Sequence, residues 1–143
     1  MDLRVATSED VKTLIRIDHV AKINPERSAF IAKVVADGSC LVAVVDGGVV
    51  GYGVLEYSFF GNGFISMLYV DEEKRRTGIG STLLTALMHR CATAKLFTST
   101  NQSNRAMQSL LLIQGFKPSG IIHNLDAGDP ELVYFKSQKD SAA

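Results

Sequence analysis

Arg75-Arg76-Thr77-Gly78-Ile79-Gly80-Ser81 lies between an apolar, strand-like run ending at Val70 and an amphipathic run that begins near Gly78. A strand that delivers a glycine-bearing turn to the start of a helix is a layout for holding a phosphate. Glycines at 78 and 80 let the main chain approach a bulky anion and take turns closed to residues with a Cβ. The first N–H groups of the following helix have no partners inside it, and the positive end of the helix dipole favours an anion there. Arg75 and Arg76 add positive charge, and Ser81 adds a hydroxyl donor.

Two nucleotide motifs fail against these letters. A P-loop places lysine directly after its second glycine, whereas Gly80 is followed by Ser81-Thr82. A dinucleotide fingerprint needs a third glycine where this chain has Leu83. For the heptapeptide alone, the remaining alternative is a tight strand-to-helix turn with solvated arginines.

Working outward, Phe64 to Val70 reads as the strand that feeds the turn, preceded by a turn at Gly61-Asn62-Gly63. Cys40 to Val45 is β-branched and apolar, Asp46-Gly47-Gly48 is a hairpin turn, and Val49 to Tyr57 is the returning strand. Upstream, Leu3 to Ala6 reads as a short strand. Thr7-Ser8-Glu9-Asp10 caps a helix running to about Val20, and Pro25-Glu26-Arg27 opens a second helix with Gly38 beyond its end. Downstream of Gly78, Ile79, Leu83, Leu84, Leu87, Met88 and Cys91 mark one helical face. A strand at Lys95 to Thr98, a helix from Asn104 to Gln114 stopped by Gly115, and strands at Ile121 to Leu125 and Leu132 to Phe135 complete the chain.

A chain of 143 residues buries an ordinary core without metal or disulfide. A single domain over residues 1–136 is expected, with a polar, frayed tail at 137–143. Zero formal net charge, and no basic block longer than Lys74-Arg75-Arg76, argue against broad nucleic-acid binding. Cys40 and Cys91 sit in apolar runs without metal-ligand spacing, which reads as free thiols in a reducing cytoplasm, with no metal site. No apolar run reaches membrane-spanning length and the N-terminus lacks a signal-peptide core, so a soluble cytoplasmic protein with no membrane partner is expected.

Two blocks carry a family resemblance. Arg75-x-x-Gly78-x-Gly80 resembles the Arg/Gln-x-x-Gly-x-Gly/Ala signature of the GNAT superfamily, the acyl-CoA-dependent N-acyltransferases. Asn104 to Phe116 is similar to that family's Asn-x-x-Ala-x-x-Leu-Tyr-x-x-x-Gly-Phe segment, with Met107 for alanine and Leu111 for tyrosine. The recognisable motifs lie between about residues 63 and 116, and the first sixty residues carry least of the likeness. The resemblance implies an α/β (mixed α+β) GNAT fold, a central mixed sheet with helices on both faces in the order β-α-α-β-β-β-α-β-α-β-β. It also implies acetyl-CoA as co-substrate. Backbone groups of Leu68, Tyr69 and Val70 would pair with the pantetheine arm, and the backbone N–H groups of Arg76, Thr77, Gly78, Ile79 and Gly80 would hold the pyrophosphate. Arg75 and Ser81 would assist, and Asn104 would border the arm, a role compatible with capping its helix.

The implied reaction is direct attack of an amine on the thioester, which requires a group to take the amine's proton. Many relatives carry Glu on the central strand where this chain has Ser66. Glu56, near the end of the adjacent strand, is the remaining carboxylate by position, against the simpler reading of an exposed strand-end acid. Glu26 could line the acceptor pocket, and His19 or His123 could titrate usefully, although a lone histidine is more often a surface one. Leu111 replaces a tyrosine that often serves as general acid, which leaves Tyr69, Tyr134 or bulk solvent to supply that proton. A backbone N–H of Leu68 or Tyr69 could stabilise the oxyanion. The expected function is therefore an N-acetyltransferase acting on a primary amine of a small molecule, amino acid or protein. The alternative is a non-catalytic acyl-CoA-binding sensor or subunit, and a third reading, an α/β domain with a coincidental glycine turn, requires both blocks to be accidental. A homodimer is an expectation from family analogy alone. Asp126, Asp129 and Glu131 could attract a cation, but a solvated turn explains them as well.

Overall fold

The computed structural model describes residues 1–138. In chain order its elements are β1 (Asp2–Val5), a 3₁₀ turn (Ser8–Asp10), α1 (Val11–Ile17), α2 (Pro25–Ala36), β2 (Cys40–Val45), β3 (Gly48–Phe59) and β4 (Asn62–Val70). A second 3₁₀ turn (Glu72–Lys74), α3 (Ile79–Arg90), β5 (Lys95–Asn101), α4 (Arg105–Ile113), β6 (Lys117–Ile122) and β7 (Glu131–Ser137) follow. The seven strands form one mixed sheet in the order β1-β2-β3-β4-β5-β7-β6. β4 and β5 pair in parallel, the arrangement that a helical crossover such as α3 permits.

Local chemistry accounts for the element boundaries. The Asn24 side chain accepts from the N–H groups of Glu26 at 2.9 Å and Arg27 at 3.2 Å, and Pro25 fills the first helical position, so α2 starts where its cap dictates. Asp46 and Gly47 both take positive φ (50° and 79°), the two-residue turn that matches the twist of a hairpin. Phe60 and Gly61 repeat it at 53° and 77°, so the expected turn at Gly61-Asn62-Gly63 falls one residue earlier. Gly63 lies instead within β4, where an added Cβ would come 2.5 Å from Cys91 Sγ; close packing explains this glycine better than a turn does.

Other boundaries also move. β1 spans Asp2–Val5 rather than Leu3 to Ala6. α1 stops at Ile17, three residues short of Val20, because Asp18 turns to extended backbone and uses its carboxylate within the following loop. β5 continues through Ser99 and Thr100 to Asn101, all paired with β7. The strand expected at Ile121 to Leu125 lies earlier, at Lys117–Ile122, with a register shift between Pro118 and Gly120. Ser137 closes β7 and the Gln138 N–H donates to Ala94 O at 2.8 Å, so the first two residues of the expected tail are held, while residues 139–143 lie outside the described ones.

Among the described residues two compact units emerge from the packing: Met1–Leu55 with Met67–Leu87, and Glu56–Ser66 with 88–138. In the first, Leu14, Ile31, Val34, Val42, Tyr52 and Val54 are fully buried and Tyr69 packs among them. In the second, Phe59 stacks on Phe64 (centroids 4.9 Å apart) and meets Phe97 at 5.0 Å, and Phe97 meets Phe135 at 5.4 Å. Aromatic contacts of this kind add to the burial energy of each ring. Leu111 and Phe116 are also buried in this unit. No helix among the described residues is long and apolar enough to cross a membrane.

Candidate active site

The glycine turn follows β4 directly. The Asp71 N–H donates to Val50 O at 2.8 Å, ending the strand, and Asp71 caps the 3₁₀ turn by accepting from the Glu73 N–H at 3.3 Å. Thr77 Oγ1 donates to Lys74 O at 2.6 Å and Arg75 Nε to Val70 O at 3.0 Å, which ties both ends of the loop to its own backbone. Arg76 and Gly78 adopt positive φ, 65° and 85°. An added Cβ at Gly78 would meet nothing within 4 Å, so the backbone there is open to a ligand. The Thr82 N–H and hydroxyl both turn back to Gly78 O, at 3.0 and 2.9 Å. The first-turn N–H groups of Ile79 and Gly80 thus stand ahead of the helix's own hydrogen bonds, at the positive end of a 12-residue helix. Arg76, Thr77, Gly78 and Ile79 are contiguous backbone, with Ser81 in the same first turn.

Leu68, Tyr69 and Val70 form the last residues of β4. The β4–β5 register pairs Gly63 with Leu96, Phe64 with Phe97 and Ile65 with Thr98, and goes no further. Gly51, on β3, is drawn so close that an added Cβ would lie 2.9 Å from Tyr69 O.

Below this strand end is a network that sequence reasoning missed. Asp18 is fully buried, and its carboxylate accepts from the Tyr52 hydroxyl (2.6 Å), Arg27 Nε (2.9 Å), and the N–H groups of Val20 (3.0 Å) and Ala21 (3.2 Å). A buried carboxylate is tolerated when its lone pairs are filled and a cation is paired with it, and both conditions are met here. Burial first, and then the bond to Asp18, push the Tyr52 hydroxyl well above the usual phenol range, so it stays a donor. Next in sequence, His19 turns to Tyr69: its main-chain N–H donates to the Tyr69 hydroxyl at 3.2 Å and its ring Nδ1 meets the same oxygen. Glu72 Oε1 lies 3.4 Å from that ring nitrogen. The guanidinium carbons of Arg75 and Arg27 lie 5.2 and 5.9 Å from the Tyr69 ring centroid.

The remaining candidates are in the second unit. Glu56 is half-buried on β3. The Ser66 hydroxyl oxygen is buried and meets no partner among the described residues. Leu111 is fully buried, an apolar core side chain. Asn104 caps α4 by accepting from the Met107 N–H at 3.1 Å. Asp126, which is exposed, accepts from the Asn101 side-chain amide at 2.9 Å, and Asp129, which is half-buried, accepts from the Ser103 N–H and hydroxyl at 2.9 and 2.6 Å. No group of three or more His, Cys, Asp or Glu among the described residues is arranged to hold a metal ion. Cys40 is buried and burial pushes its thiol up to about 12, whereas Cys91 is only partly buried.

A seven-stranded mixed sheet and a central strand leading through a glycine turn into a helix define the α/β fold. The family model of the acetyltransferase (GNAT) family matches residues 10–116, and the chain belongs to that family. A GNAT-family acetyltransferase from Bacillus cereus ATCC 10987 is 33% identical, with a TM-score of 0.88 over 95% of this chain and 96% of that one. A ribosomal-protein-alanine N-acetyltransferase from Brucella melitensis is 25% identical, with a TM-score of 0.79 over 96% and 99%. The putative acetyltransferase yncA from Salmonella typhimurium, solved with its cofactor acetyl-CoA, shares the fold at 20% identity, with a TM-score of 0.78 over 96% and 94%. No curated protein matches the chain in sequence.

Proposed function

We infer that the protein transfers an acetyl group from acetyl-CoA to a primary amine of a small molecule, amino acid or protein. The observation that carries this reading is Gly78: positive φ, open space where a Cβ would stand, and a 12-residue helix beginning at the next residue. Such a cradle fits a pyrophosphate. The backbone N–H groups from Arg76 to Gly80 would hold it, with Arg75 and Ser81 beside them. The backbone of Leu68, Tyr69 and Val70 would hold the pantetheine arm, with Asn104 bordering it. Acetyl-CoA supplies an activated acyl group as a thioester.

The protein must provide alignment and a place for the amine's proton. An alkylamine has a pKa of about 10.4, so at neutral pH roughly one molecule in a thousand is unprotonated. Holding amine and thioester together supplies a large part of the acceleration, and a positioned base contributes more. Glu56 is the carboxylate we assign as the candidate base for that proton, and Tyr69 a candidate to supply the proton that the departing thiolate takes up. The Brucella relative is named a ribosomal-protein-alanine N-acetyltransferase, so a peptide beginning with alanine is among the acceptors to try first.

A second reading is a non-catalytic acyl-CoA-binding protein. It is favoured by Ser66 and Leu111, neither of which supplies a base or acid at the family positions, Leu111 being fully buried. Calorimetric titration with acetyl-CoA, run beside Gly78→Asp, tests the cofactor site. Micromolar binding that the variant loses supports it, and absence of binding to the wild-type protein rejects both readings. CoA release in the presence of lysine, spermidine, tyramine or an N-terminal alanine peptide then separates enzyme from binder.

A further inference from the structure

Tyr69 differs from an ordinary core tyrosine in where its hydroxyl goes. The ring is packed in the first unit's core, yet the phenol oxygen meets Nδ1 of His19, a side chain that is 57% exposed and has Glu72 Oε1 3.4 Å from the same nitrogen. One end of this pair is in the core and the other in water.

The phenol oxygen accepts from the His19 main-chain N–H at 3.2 Å and keeps its own hydrogen to give. When Nδ1 carries no proton, that hydrogen can go to it, with the ring's hydrogen on Nε2. His19 is held in this pose from below, because Asp18 pins the loop through Val20, Ala21, Tyr52 and Arg27. The charged groups facing the pair are Glu72 on the 3₁₀ turn, Arg27 on α2 and Arg75 on the glycine loop. The two guanidiniums place positive charge beside the electrons the phenol oxygen must carry in transit, and Glu72 faces the imidazole that ends up charged.

We propose that His19, acting through Tyr69, is the proton acceptor for acetyl transfer, with Tyr69 the side chain that meets the amine and His19 the positioning residue behind it. The proposal rests on the acetyltransferase reading above. An ammonium N–H bond breaks as its proton passes to the Tyr69 oxygen, and the phenol O–H bond breaks as its proton passes to His19 Nδ1. The neutral amine nitrogen bonds to the thioester carbonyl carbon, and the C–S bond breaks with its electron pair remaining on sulfur. A second proton from the nitrogen goes to that sulfur, giving amide and thiol, and the imidazolium releases one proton to water at its exposed side.

Three measurements on the full chain test this. Acetyl-CoA affinity should agree within about twofold between wild type, His19→Gln and Tyr69→Phe, because neither side chain is assigned to the phosphate cradle. Acetyl transfer to whichever of the four amines releases most CoA should fall roughly 10²-fold or more in either variant. A wild-type rate in His19→Gln would overturn the proposal. The imidazole ¹⁵N spectrum supplies a readout independent of turnover: a neutral Nε2–H tautomer with a hydrogen-bonded Nδ1, altered by Tyr69→Phe, is expected, and a His19 spectrum indifferent to that change also overturns it. Failure of the wild-type protein to bind acetyl-CoA would instead reject the acetyltransferase reading, leaving the imidazole spectrum to decide whether the pair exists.

Discussion

The Tyr52 hydroxyl donates to Asp18 at 2.6 Å across 34 residues of sequence, joining a central strand to the end of the first helix. Both residues are fully buried, and the bond is one of four that leave Asp18 with its acceptor capacity filled. The same carboxylate holds the Val20 and Ala21 N–H groups of the loop that carries His19.

Tyr52→Phe removes one donor from a buried carboxylate and keeps the ring. We expect a loss of about 1–3 kcal/mol in urea unfolding. Asp18→Ala should cost more, about 3–5 kcal/mol, because it strands Arg27 and Tyr52 together. Equal losses from the two changes would show that the network is not organised around Asp18.

Gly51 is required by its neighbour's backbone. An added Cβ would lie 2.9 Å from Tyr69 O and 3.3 Å from Leu83 Cδ1, and a carbonyl cannot rotate aside as a methyl can. Gly51→Ala should therefore destabilise by about 1–3 kcal/mol. Gly53→Ala meets Leu87 Cδ1 at 2.7 Å, the far end of a flexible side chain, and should be the milder change in the same thermal-melt comparison.

Arg75 is tied through Nε to Val70 O, which fixes its guanidinium beside the glycine turn. Arg75→Ala should weaken acetyl-CoA binding about tenfold, equivalent to about 1.4 kcal/mol, with the gap narrowing as salt is raised. Titrations at 50 and 500 mM salt check it; a salt-independent gap would argue against a phosphate contact.

Arg4 donates to Asp10 at 2.7 and 3.0 Å, and the Thr7 N–H donates to the same carboxylate. The bond from Arg4 chiefly, opposed by burial and aided by the Thr7 N–H, holds the Asp10 carboxyl down at about 2. Because the folded value lies below the ordinary unfolded one of about 3.9, the stabilisation is full above pH 4 and is lost as pH falls from about 4 to about 2. Asp10→Asn should cost about 1 kcal/mol at pH 7 and close to nothing at pH 2, read from urea midpoints at each pH.

What could be read from the letters was local. Cys40–Val45 begins and ends as the β-branched run does, and Pro25 starts α2 where a proline at the first helical position should. The glycine turn was legible for the same reason, since its backbone and both arginines are contiguous. β6 was misplaced because Pro118 and Gly120 are poor strand residues, and only pairing with β7 keeps them extended. Ser99 and Thr100 look like loop residues, yet β7 pairs with both and Ser99 Oγ donates to Glu131 at 2.6 Å. His19 and Tyr69 are 50 residues apart, and no periodicity joins them. Their meeting follows from a side chain, Asp18, that a sequence pattern would place on a solvated helix end.

The register shift at Pro118 has a further effect on how copies of this chain behave when crowded. β6 is the outermost strand on its side of the sheet, and Pro118 offers no N–H to an approaching strand. The break in register between Pro118 and Gly120 spoils the straight row of backbone groups that cross-β stacking would need. The proline and the break in register thereby work against fibrillar growth at that margin.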